Sequence, residues 1–186
     1  GLMFLSIGTL ISGGVGLFYN MQLTGNAARF TIMEYTDRLF GPNANAFGFG
    51  PDRGMGWALD PNPGHGPVDA LINSNLNITS INTELFGWPL GSLLFVLVFV
   101  LAGKYRTGDF LMLAVIVVLY GLHFFYYFSG GPDFGARYWF LMIVPLVALT
   151  ARGIQVASEK LSGPSAGGYR VHLIVAAMCI MSLITF

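Results

Sequence analysis

Five stretches of this chain, at about 2–19, 85–103, 110–128, 138–151 and 171–186, are apolar almost throughout. Runs of that kind read as transmembrane helices, because a helix bonds its own backbone where no water is available. Composition points the same way. Charged residues make up 10% of the 186, against about 25% in soluble domains. So few charges cannot cover the surface of a water-soluble globule of this size, so lipid must be the solvent for much of it. The expected fold is an all-α integral membrane domain of about five transmembrane helices, with one long extracytoplasmic loop at 20–84.

Other classes are excluded early. The formal net charge is zero, which removes the electrostatic case for a nucleic-acid partner. Cys179 is the single cysteine, so neither a disulfide framework nor a thiolate metal site is available. Gly1 opens directly into an apolar run with no charged segment ahead of it, unlike a signal peptide, and 184–186 stop inside another. The expectation is one membrane domain over 1–186, belonging to a longer polypeptide.

The short loops set the orientation. Lys104 and Arg106 lie between the second and third stretches, and Arg152, Lys160 and Arg170 between the fourth and fifth. The positive-inside rule puts both loops in the cytoplasm. Alternation then turns 129–137 and 20–84 outward. The expected location is a bacterial inner membrane with 20–84 in the periplasm.

Spacing within the long loop predicts structure. Asn26 is placed to cap a helix reaching about Phe40, with Phe30, Met33 and Phe40 apolar and Glu34 four residues before Arg38; such a helix can lie on the membrane surface. The stretch 41–67 is dense in Gly, Pro and Asn but carries Phe47, Phe49, Met55 and Trp57. A linker has fewer aromatics, so a compact loop pinned by these rings is expected. Pro67 suits the first turn of a further helix, with Val68, Leu71, Ile72 and Leu76 on one side. In the first span, Gly13, Gly14 and Gly16 suit close approach of another helix. In the fourth, Pro145 predicts a kink.

Four blocks occur together: FGFGPDRGMGW at 47–57, GHGPVDALINSNLN at 64–77, the LFGWPLGSLL entry into the second span, and GPDFGARYWF at 131–140. Over roughly 19–153 they resemble the C-terminal membrane half of bacterial GT-C-type glycosyltransferase-like proteins, the group that includes protein mannosyltransferases and aminoarabinose transferases. The resemblance implies a multi-span enzyme with a polyprenyl-phosphate sugar donor on the outer face. That family's catalytic acid lies in a first outer loop, which no stretch here matches. No catalytic residue is therefore carried over, and the chain is not expected to transfer sugar by itself.

Each candidate contact has a structural alternative. Arg137, followed by Tyr138 and Trp139, can present a guanidinium fork to a lipid phosphate while the rings hold its depth. Equally, it can be an arginine snorkelling beside an aromatic belt or pairing with Asp133. Asp52, Asp60, His65 and Asp69 in the outer loop can act as substrate contacts, metal ligands or bases, although Pro67 lies between the last two and Asp-Pro and Pro-Gly pairs mark turns. Asn77-Ile78-Thr79 matches a glycosylation sequon and carries little weight.

An ionisable group within a span is a functional candidate by default. His123 is a possible ligand for a chlorophyll-type pigment; His172 sits at the other end of the membrane and cannot share a haem with it. The structural alternative for His123 is packing among Tyr120, Phe124 and Tyr127 with a carbonyl or hydroxyl bonded to the ring. The aromatic tail of the third span can line a lipid or carotenoid groove, or form an interfacial belt. Two functions stay open: the C-terminal part of a GT-C-like enzyme, or a non-catalytic structural subunit of a respiratory or photosynthetic complex. Expected partners are the lipid bilayer and other transmembrane helices.

Overall fold

The computed structural model describes residues 2–56, 64–128, 137–161 and 167–185. Among them are seven α-helices, a 3-10 turn and one isolated β-bridge. Three helical stretches, Met3–Thr24, Thr107–Phe124 and Tyr138–Leu161, are long and apolar enough to cross a membrane. The apolar helices mark a lipid bilayer as the environment. The chain divides into two compact units, Gly1–Pro67 and Val68–Phe186.

The first unit opens with α1 (Leu2–Thr24). At 1.5 Å per residue it is ~35 Å long, enough for a hydrocarbon core of about 30 Å. It runs five residues past the expected end at Tyr19 and stops at Gly25, whose φ of +72° is the left-handed conformation favoured in a helix C-cap. The Gly25 N–H donates to Met21 O at 3.0 Å. A methyl group added at Gly13, Gly14 or Gly16 would meet nothing within 4 Å.

Helix α2 spans Thr31–Phe40. Asn26 does not cap it. Its Oδ1 accepts the Ala28 N–H at 2.9 Å and closes a tight turn after α1. The side chains do organise α2 as the spacing predicts: Glu34 pairs with Arg38 at 2.9 Å. Arg29, just ahead of the helix, bridges Glu34 and Asp37 at 2.9 and 2.7 Å. In the loop after α2 the Phe47 side chain is 56% exposed, and the Phe49 ring lies 5.4 Å from that of His65. Arg53 runs through the middle of the loop, donating from Nε to Gly48 O and from Nη1 to Asn43 O. The guanidinium lies so close to Gly50 that a Cβ there would sit 3.1 Å from Cζ. Gly50 and His65 exchange both backbone bonds, at 3.0 and 2.9 Å. Trp57 and Asp60 fall outside the described residues.

The second unit contains α3 (Pro67–Glu84), α4 (Leu94–Ala102), α5 (Thr107–Phe124), the 3-10 turn Arg137–Met142, α6 (Ile143–Leu161) and α7 (Gly167–Thr185). Pro67 opens α3 as predicted. The second apolar stretch, however, is not one helix. From 85 to 93 it is irregular, and α4 has only nine residues, ~14 Å. Gly87 and Gly91 have φ of +60° and +87°, and Pro89 lies between them. At Gly91 a Cβ would strike the Asn82 amide at 2.6 Å.

Pro145 does not kink the fourth stretch. It sits in the first turn of α6, where its missing N–H breaks no intrahelical bond. Helix α6 also continues ten residues beyond the expected end at 151, because the charge at Arg152 is answered by polar partners on α5 and α6 and in the 103–106 connection. Helix α7 starts before the expected 171, and its apolar part, Tyr169–Ile184, is shorter than the three long stretches.

Helix α6 is the centre of this unit, and α4, α5 and α7 all pack on it. Phe99, Leu149 and Val156 form one buried cluster, and Ile81, Trp139, Met142 and Leu146 another. Gly153 lets α4 lie directly on α6: a Cβ there would come within bonding distance of the Phe95 carbonyl oxygen. Gly153→Ala should therefore destabilise the unit by about 1–3 kcal/mol through overpacking. Gly108→Ala, where a Cβ meets nothing within 4 Å, is the matched control; thermal melting in mild detergent should lower the midpoint only for the former.

Candidate lipid-facing site

Arg137 starts the 3-10 turn, and its side chain lies outside the described residues, as does Asp133. The two rings after it part company. Tyr138 remains 38% exposed and meets Phe128 edge-on at 5.6 Å. Trp139 is 4% exposed and turns into the core. It therefore anchors the turn against α5 and does not float at an interface. Its ring lies 4.2 Å from His123 and 5.9 Å from Tyr120.

His123 is held on two sides. Its Nδ1 is 2.9 Å from Leu119 O, one turn back on α5, and its ring rests on Trp139. A proton on Nδ1 satisfies that carbonyl and makes Nε2 the lone-pair nitrogen. The ring partner is Trp139, a residue 16 positions away in sequence that the periodicity of α5 alone does not indicate. His172 lies on α7, where its Nε2 is 3.4 Å from Ser158 Oγ on α6.

The outer-loop candidates are divided between the two units. Asp52 is exposed, and His65 is buried, with its ring 5.4 Å from Phe49. Both belong to the first unit, while Asp69 opens α3 in the second. Because α3 begins at Pro67, His65 precedes the helix and shares no helical face with Asp69. Among the described residues no three His, Cys, Asp or Glu side chains are grouped to hold a metal.

Two features were not read from the sequence. The first is a polar network at the Lys104 end of the second unit. Arg152 Nε approaches Asp109 Oδ1 at 3.5 Å, Nη1 donates to Gln155 Oε1 at 2.6 Å and Nη2 to Lys104 O at 3.2 Å. Gln155 Nε2 donates to Glu159 Oε1 at 3.0 Å, and Glu159 pairs with Lys104 at 3.1 Å. Lys104 and Arg152, basic residues expected on one side of the membrane, are thus adjacent in space. The 152, 155 and 159 spacing on one helical face was the available signal. The second feature is an apolar groove of about 770 Å³ bounded by α3, α4, α5 and α6.

No protein-family model matches the chain, and neither a curated protein nor a solved structure shows significant similarity to it.

The Arg152 and Asp109 side chains are only 17% and 11% exposed, so removing one partner leaves a poorly solvated charge. Arg152→Met should destabilise by about 2–4 kcal/mol. The Arg152→Met, Asp109→Asn double variant should lose less than the sum of the singles, giving a coupling of about 1–2 kcal/mol in a denaturation cycle.

Proposed function

We propose that this chain is the C-terminal membrane portion of a GT-C-like, polyprenyl-phosphate-sugar-dependent glycosyltransferase, contributing carrier-lipid contacts and not the catalytic carboxylate. One observation carries most of the reading. The Arg137-Tyr138-Trp139 triplet of the GPDFGARYWF block forms the turn that leads straight into α6, one of the three stretches long enough to span. A guanidinium at such a boundary is suited to a lipid phosphate, because its fork matches two phosphate oxygens. The buried Trp139 fixes the turn to α5 and so fixes where Arg137 begins. Asp52, His65 and Asp69 are secondary candidates for donor or acceptor contacts.

In this reading five stretches enter the bilayer of a bacterial inner membrane, the 85–103 stretch as an interrupted segment, and 20–84 faces the periplasm. A second reading, a structural subunit of a respiratory or photosynthetic complex, draws support from α1. Within the first unit its glycines have nothing packed on them, as expected of a helix that offers a small-residue face to other helices.

A diazirine-bearing polyprenyl phosphate, photolysed with the intact chain in membranes, should label peptides around 137–142. Arg137→Ala should weaken that labelling by about 10-fold or more, the scale of a lost charge-assisted bond. Unchanged labelling would remove Arg137 from the site. Co-purification of pigments or haem proteins in gentle detergent would instead establish the subunit reading.

Orientation has its own test. In a Cys179→Ala background, Asp52→Cys should react with a membrane-impermeant maleimide from the periplasmic side, while Lys104→Cys and Lys160→Cys should react only after permeabilisation. Equal reactivity of all three in sealed cells would overturn the topology.

A further inference from the structure

Helices α4 and α5 are joined by only the short connection at 103–106, yet each packs more closely on α6 than on the other, the two meeting chiefly at the cluster around Phe99. Two antiparallel helices with so short a link ordinarily lie side by side. Here they form a wedge. At the Lys104 end it is closed, with the Tyr105 ring 5.3 Å from both Phe99 and Phe110. Towards the other end it widens into the groove of about 770 Å³. Leu94, Leu97 and Val100 form one wall, Leu113 and Val117 the other, and Leu146 of α6 the floor.

Only two lining residues, Asn82 and Tyr120, carry side-chain nitrogen or oxygen. Both belong to the open end. Asn82 Oδ1 accepts the Leu93 N–H at the start of α4, and Tyr120 lies near the end of α5. The Asn82 Nδ2 and the Tyr120 hydroxyl make no hydrogen bond among the described residues, although an amide in so apolar a setting loses free energy without one. The lining holds no formal charge, so charge complementarity disfavours a phosphate or ammonium. It favours a neutral acceptor joined to hydrocarbon. From Tyr120 back to Leu113 the aliphatic slot runs ~10 Å along α5.

We propose that this groove holds one acyl chain of a glycerolipid, with the ester carbonyl at Asn82 Nδ2 and the Tyr120 hydroxyl and the hydrocarbon between α4 and α5. The site goes beyond the carrier-lipid reading and does not depend on it, since a polyprenyl phosphate has no ester carbonyl.

The probe is phosphatidylglycerol with a diazirine midway along one acyl chain, photolysed in vesicles holding the intact chain, with adducts mapped by mass spectrometry. Adducts should concentrate on peptides containing 94–100 and 113–117, over the apolar and exposed α1. Leu97→Trp, at a half-exposed wall position, should abolish this enrichment. Leu101→Trp, which is 77% exposed and does not line the groove, should leave it intact. Tyr120→Phe, which removes only the hydroxyl, should reduce it about 2- to 10-fold, the range for one hydrogen bond. Adducts spread evenly over α1 and the groove would mean ordinary annular lipid and overturn the site. So would displacement of the probe by polyprenyl phosphate but not by dioleoylglycerol, or a Leu97→Cys disulfide between copies that excludes the probe.

Discussion

Hydrocarbon offers a backbone amide no partner, so a chain can leave the helix at membrane depth only where the protein itself replaces the missing bonds. In the irregular 85–93 segment the protein supplies several such partners. Ser92 Oγ accepts the Phe86 N–H at 2.9 Å, and Asn82 takes the Ser92 N–H on its carbonyl oxygen at 2.7 Å and the Leu93 N–H on Oδ1 at 3.1 Å. From α7, Ser182 Oγ donates to Phe86 O at 2.7 Å. Ser92 within the segment, Asn82 on α3 and Ser182 on α7 thus help to make the interruption tolerable. The shortness of α4 follows from where this interruption ends.

The crossing at Gly153 and the network around Arg152 act at neighbouring levels of α6 and do different things. Gly153 brings two backbones together and so favours dispersion and dry packing. The Arg152 network joins α6 to the start of α5, where Asp109 Oδ2 also accepts the Arg106 N–H at 2.8 Å. One carboxylate thereby caps a helix and answers a guanidinium, and Arg152 lies 5.8 Å above the Phe99 ring as well. The junction of α4, α5 and α6 is specified by polar geometry in a setting where apolar contacts alone distinguish poorly between helix and lipid.

Much of the helical content was legible because apolar runs are long and turn residues local. Pro67 announced the start of α3, and the spacing of Glu34 and Arg38 announced their ion pair. The illegible parts depended on competition between local rules. Gly87, Pro89 and Gly91 are visible breakers, but the apolar run around them outweighed them, and only the distant Asn82 and Ser182 make the break tolerable. Arg152 looked like the end of a span because its acid, Asp109, lies 43 positions earlier in the sequence. Asn26 has the chemistry of a cap, yet a turn in its own vicinity competes for the same oxygen. Of the candidate site, the 137–139 turn was legible as a motif, whereas the groove arises from the divergence of two helices and leaves no sequence signature.

In the described part of the loop after α2, one guanidinium bonds two backbone carbonyls. Arg53 donates to the Gly48 and Asn43 carbonyls and not to a carboxylate, so ionic strength, which screens exposed ion pairs, has little purchase on these bonds. The absence of cysteine from this unit leaves its shape equally indifferent to an oxidising or reducing surrounding. Lysine at this position would keep the charge but not the planar fork that spans both carbonyls. In the described part of this glycine-rich excursion, the planar shape of one side chain thus matters as well as its charge.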